Sequence, residues 1–260
     1  MRRRIAAAAA AVSLCSLATS GCFDIEQTLT LDRSLSGTAG FRMKIDMEPM
    51  IGVMVRMQRE MAGKTGEPTA EEMAKAREEF VASSKTKKQQ SGDIETAKRE
   101  LSGKLPAGVK LIDATMTEGD LSMAMQLVFG FDQLAKLAAI QLPKGKGDAA
   151  AEGPGNPIDS PFGGLKVVDE GATVLITGPP QNPMTGAKDQ APPDPATQKM
   201  VQDMFKGLRV AFTITAPMEV VEHNAHRKDG NTLVWEYNLK TLETLTPEQL
   251  GSSIRVRYRK

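Results

Sequence analysis

Residues 23–48 read FDIEQTLTLDRSLSGTAGFRMKIDME, and the order of side chains in this stretch decides the fold. Phe23, Ile25, Leu29 and Leu31 alternate with Asp24, Glu26, Thr28, Thr30 and Asp32, the period of two that gives a strand one buried and one wet face. Arg33-Ser34-Leu35-Ser36-Gly37-Thr38 breaks the alternation with turn residues, after which Phe41, Met43, Ile45 and Met47 alternate with Arg42, Lys44, Asp46 and Glu48. Two such runs across a short break predict an antiparallel hairpin.

Working towards the C-terminus, Pro49 suits the first turn of a helix, and Met47, Met50, Met54, Met57 and Met61 recur at helical spacing along one stripe. Thr69-Ala70-Glu71-Glu72 reads as a capping box opening a second helix towards Ser84, Lys85 to Gly92 as a polar connection, and Asp93 to Gly103 as a third, short helix. A second hairpin pairs Val109 to Thr117 with Leu121 to Phe129, and the spacing of Leu134, Leu137 and Ile140 predicts a helix over 131–142. Residues 143–164 and 178–195 are Pro/Gly-rich excursions around a third hairpin, Leu165 to Asp169 with Ala172 to Thr177. A short helix over 196–205 precedes the strand Leu208 to Thr215; Met218 to Glu222, Thr232 to Leu239 and Ile254 to Tyr258 follow, with a turn at Lys228-Asp229-Gly230-Asn231. Hairpins with helices inserted between them imply an α+β fold of antiparallel sheet, a single domain over 22–260, closed by contact between the first and last strands.

Working towards the N-terminus, Arg2, Arg3 and Arg4 precede an uncharged run from Ile5 to Leu17, the pattern of a secretory signal peptide over 1–21. The run has 13 residues, where a spanning helix needs about 20. Leu17-Ala18-Thr19-Ser20-Gly21-Cys22 resembles the lipobox of bacterial lipoproteins, with Thr19 where that pattern most often has Leu. The resemblance implies that Cys22 is the lipidated N-terminus, anchoring the chain to a membrane through acyl chains. Phe23 rather than Asp after the cysteine favours, by the same resemblance, the periplasmic face of the outer membrane.

Composition narrows the function. The chain is 40% hydrophobic and 25% charged, an ordinary globular balance, but only 4% aromatic with 15 methionines, so aliphatic and thioether side chains must fill its core. Without residues 1–21 it carries 30 basic and 32 acidic residues, which gives nucleic-acid binding no electrostatic support. Nucleophile motifs are missing: no Gly-x-Ser-x-Gly elbow occurs and no cysteine follows Cys22. Among 32 acids nothing marks one pair as catalytic, and Gly178 to Lys188 lacks the spacing of a phosphate loop. His223 and His226 are the only histidines, three apart on an extended segment, so they point to opposite faces and read as exposed loop residues rather than metal ligands. No metal and no cofactor is expected.

The lipobox cysteine, the strand with its Ser34-Leu35-Ser36-Gly37-Thr38-Ala39-Gly40 turn, and the run Pro217…His223-Asn224-Ala225…Asp229-Gly230-Asn231…Trp235 together resemble the LppM-like bacterial lipoproteins. The resemblance covers the two ends of the chain; residues 143–200 have no counterpart. It implies hairpins with inserted helices and, from some members, lipid or glycolipid binding, and it carries over no catalytic residue. Trp235, the only tryptophan, reads as a core anchor worth a few kcal/mol.

The methionine stripe has three readings: core packing against the sheet, an adaptable apolar groove formed by Met50, Met54, Met57 and Met61, and thioether binding of Cu(I). The expected function is a noncatalytic envelope lipoprotein that binds a lipid or other apolar ligand between this helix and the sheet. The alternatives are an assembly or scaffold lipoprotein whose protein partner docks there, and a hydrolase of unknown type.

Overall fold

The computed structural model describes residues 23–88, 94–142, 160–179 and 207–260. The leader, Cys22, the helix expected over 196–205 and most of both excursions lie outside the described residues. The opening hairpin forms as the alternation predicts: β1 (Phe23–Leu31) pairs antiparallel with β2 (Gly37–Asp46), Phe23 opposite Ile45 and Leu31 opposite Gly37. Gly37 cannot be replaced at the head of β2, because its φ is 152° and a Cβ there would lie 1.9 Å from the Thr30 carbonyl oxygen.

This hairpin is the middle of a seven-stranded sheet. β3 (Val109–Glu118) and β4 (Ser122–Phe131) extend it beyond β2, with a bulge near Ile112 on the edge strand β3. On its other side β1 pairs with β7 (Arg209–Thr215), which pairs with β10 (Thr232–Asn238), and β10 with β9 (Arg227–Asp229). The β1–β7 pairing is parallel and every other one is antiparallel. A second, four-stranded sheet runs β5 (Lys166–Asp169), β6 (Thr173–Gly178), β11 (Ile254–Arg259), β8 (Glu219–His223). The first and last strands therefore lie in different sheets, against the expected contact between them. Closure into one α+β domain comes instead from a shared core: Leu29, Phe41, Phe129, Phe212 and Trp235 of the large sheet belong to one buried cluster with Ile176, Ile254, Val256 and Tyr258 of the small one.

Helices follow the strands as inserts. α1 (Glu48–Met61) carries Pro49 in its first turn, and α2 (Ala70–Lys88) packs on it. The capping box is present, Thr69 Oγ1 accepting from the Glu72 N–H at 3.2 Å and Glu72 Oε2 from the Thr69 N–H at 2.9 Å. α2 continues through Lys88, so the connection expected from Lys85 begins later. α3 (Ile94–Lys104) forms as expected. The helix expected over 131–142 is instead a 3₁₀ turn at Leu134–Ala139. Leu134, Leu137 and Ile140 are each three residues apart, the period of that tighter helix, and all three are buried. Two further helices, α4 (Leu239–Thr244) and α5 (Pro247–Gly251), connect β10 to β11.

One side chain also hydrogen-bonds to both sheets. Asn224, between β8 of the small sheet and β9 of the large one, accepts through Oδ1 from Trp235 Nε1–H at 2.9 Å and from the Arg255 N–H at 2.9 Å. Its amide donates to the Ser253 carbonyl at 2.7 Å and to Ser252 Oγ at 3.3 Å. Trp235 is buried on β10, as expected of a core anchor, and its indole meets Phe212 edge-on with centroids 6.0 Å apart. Asn224→Ala removes the acceptor of a buried donor and is expected to cost about 2–3 kcal/mol in urea unfolding followed by Trp235 fluorescence.

Among the described residues Gln27 is the one polar side chain buried in the core, and the Tyr258 hydroxyl shares its lack of a partner. Gln27 lies on the inward face of β1 between Ile25 and Leu29 at 1% exposure, and neither its amide oxygen nor its amide nitrogen has a hydrogen-bond partner. Burial of such a group without a partner opposes folding. Gln27→Leu is expected to raise the unfolding free energy by about 1–2 kcal/mol, read as a higher urea midpoint at an unchanged denaturant slope.

Candidate functional site

The turn joining β1 to β2 is built around one carboxylate. Asp32 accepts through Oδ1 from the Ser34 N–H at 2.8 Å, from Ser34 Oγ–H at 2.6 Å and from the Ser36 N–H at 3.1 Å, and through Oδ2 from the Ser36 hydroxyl. The Ser34 and Ser36 hydroxyls, desolvation working against them, hold its pKa at about 2 against an ordinary 3.8. Between these hydrogen bonds Leu35 takes a φ of 62°, a left-handed conformation that costs a branched side chain about 1 kcal/mol. Glycine would adopt it freely. Leu35 is half-buried and packs on the core, so its side chain is the gain set against that strain.

What Leu35 faces is a cleft of about 500 Å³ between this turn and the end of the small sheet. Its apolar lining is Leu35, Val167, Val174, Pro217 and Met218. Arg33, Asp169, Glu219, Arg259 and Lys260 form the charged mouth. Arg259 pairs with Glu219 at 2.6 Å and Lys260 with Asp169. These pairs end a ladder across the outer face of the small sheet, in which Arg255 and Arg257 bind Glu222 and Arg257 also binds Glu170 at 2.8 Å. Lys260 and Arg257 accordingly hold the Asp169 and Glu170 carboxyls below the usual carboxylate range. The alternating arginines of β11 are thereby neutralised. Arg33 is not: it makes no ion pair or hydrogen bond among the described residues.

A second, shallower cleft of about 230 Å³ between α1 and α2 is lined largely by charged groups, and the Arg59–Glu72 pair bridges it at 2.5 Å. It offers nothing apolar enough for a lipid chain.

The residues singled out from the sequence are placed apart from the cleft. Met50 is half-buried, whereas Met54, Met57 and Met61 are 44%, 46% and 82% exposed, so the core-packing reading of the stripe fails for these three. Burial on α1 falls on Ile51, Val53 and Val55 instead. The methionines form a ridge on the outside of the helix and do not line the cleft. His223 is exposed, but His226 is not the free loop residue expected. Its Nδ1 accepts from the Glu236 N–H at 3.0 Å and its ring meets Tyr237 edge-on at 4.9 Å. Burial, only partly offset by the Glu236 contacts, lowers its pKa. Among the described residues no group of three metal-ligating side chains gathers, and no helix is long and apolar enough to cross a membrane. Cys22 lies outside the described residues.

Fold and cleft together define an α+β domain of two sheets with a solvent-open, apolar-lined pocket at one end of its core. No family model matches the chain, and no curated protein matches it. Among solved structures it is similar to the folded domain of the Mycobacterium tuberculosis LppM protein, determined by NMR, over 92% of this chain and 90% of that one, at 11% sequence identity and a TM-score of 0.43.

The Asp32 turn gives a direct pH test. Because the folded pKa is depressed, the carboxylate's support for the turn is complete above the ordinary 3.8 and is lost as pH falls through about 2. The Ser34 and Ser36 amide resonances are expected to titrate with a midpoint near that lower value; a midpoint at the ordinary value would mean that the serines do not hold the carboxylate.

Proposed function

We propose that the protein is a noncatalytic bacterial envelope lipoprotein that takes a small anionic amphiphile into the cleft, apolar tail against Leu35, Val174 and Met218 and headgroup on Arg33. Acylated Cys22 holds it to the periplasmic face of the outer membrane. The observation that carries this reading is Arg33, a guanidinium with no partner among the described residues, at the mouth of an apolar-lined pocket whose other cations are paired. Its planar fork suits a carboxylate or phosphate. A volume of about 500 Å³ suits one acyl chain or a comparable molecule better than a whole diacyl lipid. The strained Leu35 supports the same reading, since backbone strain kept at a turn is often kept for function.

A fluorescent long-chain fatty acid is the probe. Saturable binding to the full chain in detergent is expected, weakened about tenfold by Arg33→Glu and lost in Leu35→Asp, with both variants retaining the Trp235 unfolding transition. Equal binding by wild type and both variants would exclude the cleft as the site. Intact mass of the same preparation reports whether Cys22 is acylated, and Cys22→Ala is expected to leave the membrane fraction.

A further inference from the structure

The exposed methionines raise a separate question, because apolar side chains gathered on one face of a helix mark an interaction surface. On a helix of 100° per residue Met50, Met54, Met57 and Met61 fall within about 60° of one another, a ridge about 16 Å long. The far side of α1 is already taken by α2: Gly52 approaches Met73, Arg59 binds Glu72 and Glu48 binds Arg77. The centre of that contact lies about 170° around the helix from the ridge. α2 therefore leaves Met54, Met57 and Met61 uncovered and fixes which way they face.

Where the ridge begins is set by the sheet. Cys22 is joined directly to Phe23, the first residue of β1, a Cα separation of about 3.8 Å. Phe23 pairs with Ile45, β2 ends one residue later, and α1 starts at Glu48. Met47 N–H donates to the Leu121 carbonyl at 2.8 Å, which ties the exit of β2 to the start of β4. The end of the sheet from which α1 departs is thus the end at which an acylated cysteine would hold the chain. There is no linker between them that would let the domain stand off from the lipid.

We infer that α1 docks on the bilayer surface that carries the anchor, with the methionine ridge lying in the interfacial layer and α2 on the side facing water. The inference rests on the anchor assigned to Cys22 but not on the ligand assigned to the cleft. Apolar contact drives it: the arginines of α1, Arg56 and Arg59, lie away from the ridge and are neutralised by Glu67 and Glu72, so anionic lipid is not required. Methionine suits the task because its flexible thioether conforms to acyl chains without demanding one geometry. The acyl chains and the ridge then act as two membrane signals on one rigid body, fixing orientation as well as attachment.

The mature chain has no cysteine besides Cys22, whose thiol acylation consumes, so one introduced cysteine is a unique labelling site. Full-length Met50→Cys, Met57→Cys, Met61→Cys and, as a water-facing control on α2, Glu78→Cys are spin-labelled and reconstituted in phosphatidylcholine vesicles. Collision with oxygen is compared with collision with a polar nickel chelate, and the intact mass of each sample is measured. The expected result is a severalfold higher oxygen-to-nickel ratio at all three ridge positions than at position 78, unaffected by salt. Nickel access at Met57 and Met61 in a chain whose mass shows acylation would overturn the docking and leave the anchor standing. Labels shielded from both reagents would mean that protein covers the ridge and would equally overturn it. An unacylated mass would remove the anchor and the docking together.

Discussion

The Asn224 amide fixes the point at which the chain crosses from one sheet to the other. β8 and β9 are adjacent in sequence but belong to different sheets, and the chain crosses between them in the few residues that Asn224 opens. One side chain there closes hydrogen bonds to the indole of Trp235 in the large sheet and to the backbone at Ser253 and Arg255 beside the small one. The indole needs an acceptor once buried, and the crossing segment needs a fixed path, so one amide satisfies both demands. With the crossing fixed, Trp235 and Phe212 can lie under Ile254 and Val256 as one core rather than two. His226, two residues on, reinforces the same corner by accepting from the Glu236 amide on β10.

Packing the small sheet against the large one leaves an end uncapped, and the turn after β1 fills part of it. Four hydrogen bonds converge on Asp32, forcing Leu35 into a left-handed conformation and throwing Arg33 outward beside it. The arginines of β11 are spent on the carboxylates of β8 and of the β5–β6 turn. Among the described residues, charge pairing along the small sheet therefore leaves Arg33 unpaired at the mouth of the cleft, and the apolar lining below it comes from residues whose main role is to end the core.

Much of the strand content was legible because alternation is a local signal. Phe41, Met43 and Ile45 announce β2, and Lys228-Asp229-Gly230-Asn231 announces the β9–β10 turn, where Gly230 has a φ of 54°. Pairing is not local. Nothing in residues 24–30 says that they lie parallel to 209–215, and nothing in β11 says that it joins β6 and β8 rather than β1. Gln27 reads as a gap in an apolar run, yet it is buried because its neighbours on both sides must be. α4 and α5 went unread although Asn238 with Thr241 and Thr246 with Gln249 spell their capping boxes, a signal that short helices of five and six residues show more clearly than periodicity. The methionine stripe was legible as a helix face but not as an outward one, since period alone does not distinguish core from surface. The cleft was illegible as well: Arg33 and Leu35 read as turn residues, and their partners lie more than a hundred positions away.

The two surfaces lie at opposite ends of one strand. Phe23 opens β1 beside α1 and its methionines, while Leu31 closes β1 beside the turn that carries Arg33 and Leu35. Eight strand steps separate them, about 26 Å along β1. A bilayer met at the Phe23 end leaves the cleft facing the aqueous side, nearly a hydrocarbon core's thickness away from it. Under the proposed anchoring and docking, a ligand in the cleft would be one already removed from the membrane, with its headgroup on Arg33 and its tail shielded by protein rather than lipid. Holding an amphiphile clear of the surface on a body fixed to that surface suits receiving or passing on single molecules. It does not suit recognising a lipid that stays embedded, which would require the pocket at the other end of the strand.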